Sequence, residues 1–135
     1  MNAPFECVLA SGVDAPGAAR RLLTQWFGAV LAEGTLTTAR LLVSELVTNA
    51  VTHGRGRITV RAQLVGLRLR VEVIDEGDGF EFALRKRDVR MAGVGGWGLS
   101  VVDEESNRWG VRRDKSNVWF ELERPGPRLA ASSDR

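Results

Sequence analysis

Three short stretches hold the side chains that could do chemistry. In "ELVTNAVTHG", residues 45 to 54, Glu45, Asn49 and His53 stand four residues apart, and His53 is the chain's only histidine. In "DEGDG", residues 75 to 79, a carboxylate is followed by two glycines, Gly77 and Gly79. In "GVGGWGLS", residues 93 to 100, Gly93, Gly95, Gly96 and Gly98 run into a segment that reads as a helix. A carboxylate accepts hydrogen bonds and does not donate them. Asp75 at the edge of a flat ligand therefore selects an exocyclic amine: adenine fits, and guanine, with a carbonyl there, does not. The missing side chains at Gly77 and Gly79 let such a ligand approach the backbone. Exposed amides at a glycine-rich helix start bind phosphate.

Each signal has a plain alternative. Taken at about 100° per residue, Val43, Leu46, Val47, Ala50 and Val51 share one broad helix face suited to lie on a sheet. Glu45, Asn49, Thr52 and His53 fall on the opposite sector, which can be simply the solvated side of an amphipathic helix. Leu41 and Leu42 border that sector, however, and a surface helix more commonly carries Lys/Glu pairs there. An aspartate and glycines after a strand make a common turn. The glycine-rich run lacks the Gly-Lys-Ser/Thr of a Walker A loop, and it lacks the preceding strand and βαβ unit of a dinucleotide fingerprint.

The rest of the chain must position these groups. Its 135 residues suffice for one core. Net charge is only +2, and the arginines are dispersed among acids and apolar residues, which argues against a nucleic-acid surface. One cysteine, Cys7, excludes an internal disulfide. No apolar run nears the roughly 18 residues of a membrane span, and no signal peptide opens the chain, so the expected location is cytoplasmic.

Residues 5–10 read as a short strand. Helices follow over 18–31, with Asp14 and Pro16 at its start, and over 37–53, with Thr35 or Thr37 as cap and Gly34 between the two. "RITVRAQLV" and "LRLRVEVID" alternate strictly around Gly66, a hairpin whose inward residues are Ile58, Val60, Ala62, Leu64, Leu67, Leu69, Val71 and Val73. Residues 76–96 read as a loop. A short helix then precedes a second hairpin, "RWGVRR" and "NVWFELE", turning at Asp114–Ser116. Trp26, Trp109 and Trp119 read as packing residues. The domain spans 1–124, and 125–135 reads as a disordered tail. The order β-α-α-β-β-loop-α-β-β predicts an α/β two-layer sandwich, a mixed, mostly antiparallel sheet covered on one face by three helices.

Together the three stretches resemble the N, G1 and G2 boxes of the GHKL, or Bergerat-fold, ATPase superfamily, over about residues 5 to 123. Within it, "SELVTNAVTH", the short G1–G2 loop and the ending "VWFELE" resemble the small bacterial anti-sigma-factor serine/threonine kinases. The resemblance implies that Asn49 coordinates Mg²⁺ bridging the phosphates of ATP and that Glu45 is the general base. It implies that Asp75 reads adenine above Gly77 and Gly79, and that Gly93, Gly95, Gly96, Gly98 and Leu99 form the lid and helix start around the phosphates. One of Arg85, Lys86, Arg87 and Arg90 would neutralise γ-phosphate charge, with a solvated basic loop as the alternative. His53, ending its helix, suits the dipole there. The chain departs from the family at Trp97, at Phe80 and Glu81, and at Asn117, where a threonine often supports the adenine aspartate. Implied partners are an alternative sigma factor and a small antagonist protein. A homodimer would form through residues 5 to 31. The alternative function is an interaction module, inactive as a catalyst, that regulates by binding alone. A histidine kinase is disfavoured, because no phospho-accepting histidine precedes the N box.

Overall fold

The computed structural model describes residues 3–77, 99–112 and 116–123. Along the chain run β1 (Phe5–Leu9), α1 (Ala15–Phe27), α2 (Glu33–His53), β2 (Ile58–Val65), β3 (Arg68–Ile74), α3 (Leu99–Glu105), β4 (Arg108–Arg112) and β5 (Asn117–Glu123). Among the described residues this is the element order that the periodicities predict; the expected loop over 76–96 lies almost wholly outside them.

The helix boundaries differ from the expected ones. Pro16 lies in the first turn of α1, where its missing N–H costs nothing. The helix stops at Phe27 rather than Leu31, and Gly28 closes it by donating its N–H to the Thr24 carbonyl at 2.8 Å. Helix α2 starts at Glu33, four residues before the expected Thr37, so Gly34 lies inside it and neither threonine caps it. A glycine in a first turn is tolerated, since the amides there lack intrahelical partners anyway. Glu33 beside those amides favours the start electrostatically.

The strands form one sheet in the order β1-β2-β3-β5-β4. Every neighbouring pair is antiparallel, which corrects the expected mixed sheet. Both hairpins put consecutive strands side by side, and β5 returns next to β3, so no parallel crossover arises among the described strands. Register pairs Val65 with Arg68 and leaves Gly66 and Leu67 as a two-residue turn. Gly66 adopts φ +60°, a conformation suited to glycine. Leu67 is therefore 45% exposed in that turn, not inward as the alternation suggested.

One face of the sheet is apolar. Ile58, Val60, Ala62, Leu69, Val71, Val73, Val118, Phe120 and Leu122 are buried there, under Ala19, Leu23 and Phe27 of α1, the Leu42–Ala50 stretch of α2, and Leu99 and Val102 of α3. Helix α2 packs against both α1 and α3 as well as the sheet. It is thus the central helix of its layer, and this decides the environment of its polar line. The other sheet face carries Arg61, Arg70, Glu72, Glu121 and Trp119. Trp26 stacks on Phe5 with ring centroids 5.3 Å apart. Trp109 is buried and donates its indole N–H to Asp103 Oδ1 at 2.7 Å.

Candidate nucleotide site

The polar line of α2 does not share one environment. Asn49 is only 3% exposed, Glu45 is half-buried, and Thr52 and His53 are exposed. Helical angles alone placed all four opposite the core. Because neighbouring helices flank α2 on both sides, Ser44 and Asn49 are enclosed together with Leu42 and Leu46. Asn49 Nδ2 is buried with no hydrogen-bond partner. A buried amide left unpaired costs about 1–3 kcal/mol, so this position is unfavourable unless something completes it. The two ends of a carboxamide exchange by a simple flip of the side chain, so the same position can present an oxygen to a ligand.

Asp75 follows the last residue of β3 and is 6% exposed. Its carboxylate is held from three sides. Ser116 donates its hydroxyl to Oδ2 at 2.8 Å, Gly77 donates its N–H to Oδ1 at 2.6 Å, and Arg55 donates its N–H to Oδ1 at 3.4 Å. The Asp75 N–H in turn donates to the Ser116 carbonyl at 2.9 Å. A carboxylate offers about four acceptor positions. Among the described residues two donors engage Oδ1 and one engages Oδ2, so Oδ2 keeps one position for a further donor. An exocyclic amine is such a donor.

The hydroxyl that supports Asp75 belongs to Ser116 and not to the next residue, where the family resemblance directs attention. Asn117 pairs with Ile74 and Arg112 in the sheet, and its Oδ1 is buried without a hydrogen-bond partner. Antiparallel pairing of Ile74 with Asn117 sets Asp75 and Ser116 opposite one another. That register becomes legible only once β3 is known to pair with β5.

The two halves of the site meet where α2 ends. Gly54 caps the helix, and a Cβ there would lie 2.3 Å from Asp75 Oδ2. The helix that carries Glu45 and Asn49 thus terminates against the adenine-reading candidate. Gly77, expected to bare its backbone to a ligand, instead uses its N–H to hold Asp75. Leu99 opens α3 with its side chain wholly in the core. Gly79, Gly93, Gly95, Gly96 and Gly98 lie outside the described residues. So do Phe80, Glu81, Arg85, Lys86, Arg87, Arg90, Trp97 and the tail.

These groups fit an adenine nucleotide: an open carboxylate acceptor, a serine beside it, and an enclosed amide without a partner. They also fit Mg²⁺ held by few protein ligands. Among the described residues no three of His, Cys, Asp and Glu cluster as a metal cage. An ion next to Asn49 would take its amide oxygen together with water and phosphate oxygens, the coordination Mg²⁺ prefers. Among the described residues no helix is long and apolar enough to cross a membrane.

Comparison with known proteins agrees with this fold. Among curated proteins none matches the chain significantly. Among solved structures, the crystal structure of the RsbU and RsbW domains of Rv1364c from Mycobacterium tuberculosis has the same fold, with a TM-score of 0.67 at 21% identity. That match covers 90% of this chain but only 32% of the other, so the present chain spans about a third of its length. A family model, the histidine kinase-like ATPase domain, matches residues 10–120. Most of the sequence falls within that match, and it includes every described group of the site: the chain belongs to the histidine kinase-like ATPase family.

Proposed function

We propose that this chain binds ATP with Mg²⁺ and acts as an anti-sigma factor that phosphorylates a serine or threonine of a small antagonist protein. The observation that carries the reading is the buried Asp75 carboxylate, fixed by three donors with one acceptor position left on Oδ2. Adenine offers an amine to that position and guanine does not. Family membership implies ATP binding. The sigma-factor setting rests on the resemblance of the site sequence and on the likeness in fold to a chain that includes an RsbW domain.

In this reading the pocket residues divide the work. Asp75 orients the base above Gly77 and Gly79. Asn49 supplies an amide oxygen for Mg²⁺, which when bound would neutralise phosphate charge. Glu45, one turn before Asn49, takes the proton from the attacking hydroxyl as the oxygen bonds to the γ-phosphorus and ADP leaves. Gly93, Gly95, Gly96, Gly98 and the backbone of Leu99 surround the phosphates, with one of Arg85, Lys86, Arg87 and Arg90 against the γ-phosphate.

Calorimetric titration with ATP and GTP, with and without Mg²⁺, tests the first step. Mg²⁺-dependent binding that prefers ATP is expected. Asp75→Asn should lower ATP affinity at least about tenfold, since a charge-assisted hydrogen bond is lost. Asn49→Ala should remove the dependence on Mg²⁺. No binding at millimolar ATP would refute the reading. Transfer from radiolabelled ATP to candidate antagonists, with Glu45→Ala as the dead control, then tests the kinase. Selective ATP binding without any transfer would instead make the chain a regulator by binding alone.

A further inference from the structure

The four residues after α2, "GRGR" at 54–57, are bound to the end of β3 through contacts that none of the site motifs accounts for. The Glu76 N–H donates to the Arg55 carbonyl at 2.8 Å, and the Arg55 N–H donates to Asp75 Oδ1 at 3.4 Å. The Arg57 N–H donates to Glu76 Oε1 at 3.0 Å, and the Arg57 guanidinium lies 3.5 Å from Glu76 Oε2. Gly54 is required by space and Gly56 by its backbone conformation. Gly54 has an ordinary φ of −95°, yet a Cβ there would meet Asp75 Oδ2 at 2.3 Å on one side and the Ala50 carbonyl oxygen at 2.7 Å on the other. Neither can yield easily: the carbonyl accepts the Gly54 N–H at 3.0 Å, and the carboxylate is tied to Ser116. Gly56 adopts φ +68°, and a Cβ there would lie 1.8 Å from Glu76 Oε1.

We propose that Gly54 and Glu76 are positioning residues of the nucleotide site. Gly54 leaves the space in which the Asp75 carboxylate is seated. Glu76 fastens the turn that joins the Asn49 helix to the Asp75 strand. Neither residue needs to touch nucleotide. Together they set the open acceptor of Asp75 Oδ2 at a fixed offset from Asn49, so that one molecule reaches both with its base and its phosphates. The inference rests on the ATP-binding reading given above and adds to it what holds the base-reading and phosphate-reading halves in register.

Equilibrium titration of the full chain with ATP and with GTP, both with Mg²⁺, tests it in the wild type, Asp75→Asn, Gly54→Ala, Glu76→Ala and Glu76→Gln. Thermal unfolding of each variant without nucleotide is measured alongside. Gly54→Ala is expected to lower ATP affinity about tenfold or more, by displacing the acceptor from a charged hydrogen bond, and to bring the ATP:GTP ratio towards one. Glu76→Ala leaves Asp75 room and should fold even if Gly54→Ala does not. It is expected to lower ATP affinity about 3- to 10-fold, the range of one lost hydrogen bond. Glu76→Gln, which keeps an oxygen for the Arg57 N–H, should recover most of that loss. A merely structural role would lower the unfolding temperature and leave the ATP:GTP ratio unchanged.

Suppose the wild type prefers ATP and Asp75→Asn abolishes the preference, while folded Gly54→Ala and Glu76→Ala keep both affinity and ratio. The positioning role is then overturned and the ATP reading stands. A wild type that binds no ATP overturns both.

Discussion

Asp75 illustrates how a buried charge is kept at a site where, among the described residues, no opposite charge is in contact. Its three donors are two backbone amides and a hydroxyl, and these compensate part of the desolvation that burial imposes. Ser116 is the only side chain among those donors, so it is the one that substitution can remove. Ser116→Ala is expected to cost about 1–3 kcal/mol of stability, because it leaves the buried carboxylate short of a donor. Ser116→Thr should retain most of it. Chemical denaturation of the two variants measures the difference, and equal losses would show that the hydroxyl is not what matters. The aspartate was legible in the sequence from its place between a strand and two glycines. Ser116 was not, because a lone serine in a turn is ordinary and only strand register gives it a partner. Asn49 was singled out by spacing, but its burial was not foreseen.

At the level of elements, β5 is the strand on which the rest depends. It lies between β3 and β4, and Val118, Phe120 and Leu122 all face the helices. Phe120 is wholly buried and among the largest side chains of the core. Phe120→Ala is expected to cost about 3–5 kcal/mol through lost transfer energy and a residual cavity. A fall in the urea midpoint equal to that loss divided by the denaturant slope, with the slope unchanged, would confirm it. A loss under about 1 kcal/mol would mean that the site collapses around the gap. Strict alternation made β2 and β3 readable as strands, since every second residue must turn inward. The starts and ends of α1 and α2 were less legible. Capping there runs through backbone geometry and a first-turn glycine, not through the side-chain oxygens expected at Thr35 or Thr37.

At the scale of the whole molecule, the sheet face opposite the described helices is closed by charge. Arg70 lies 2.9 Å from Glu72 and 3.0 Å from Glu121, and its guanidinium sits 4.1 Å from the centroid of the Trp119 ring. Arg108 Nε lies 3.3 Å from Glu121 Oε1, off the hydrogen-bond direction, so that oxygen has a charge contact alone. The Glu121 side chain is only 8% exposed, between two arginines on neighbouring strands. Glu121→Gln is expected to lower stability by about 1–3 kcal/mol, since a charge-assisted hydrogen bond is weakened and two cations lose their shared counter-charge. Raising salt should shrink the deficit only slightly, because a carboxylate this buried is weakly screened. Thermal melts at low and high ionic strength read this out, and a wild-type melt in both would discard the network as a stabilising element.

What the sequence determined by itself was local or periodic. The alternation of β2 and β3, the helical spacing through α2 and the aspartate between a strand and glycines all act within a few residues, so one chain read in order displays them. The order of those elements then implied a two-layer sandwich, and family likeness supplied the roles proposed for Glu45, Asn49 and Asp75. Tertiary structure decided what depends on groups far apart in the chain. It pairs β3 with β5 and so gives Asp75 its serine. It places α2 between two helices and so encloses Asn49. It seats the Asp75 carboxylate in the space that Gly54 leaves empty. Each of these joins residues whose separation along the chain carries no periodic signal, and only packing of the whole core brings them together.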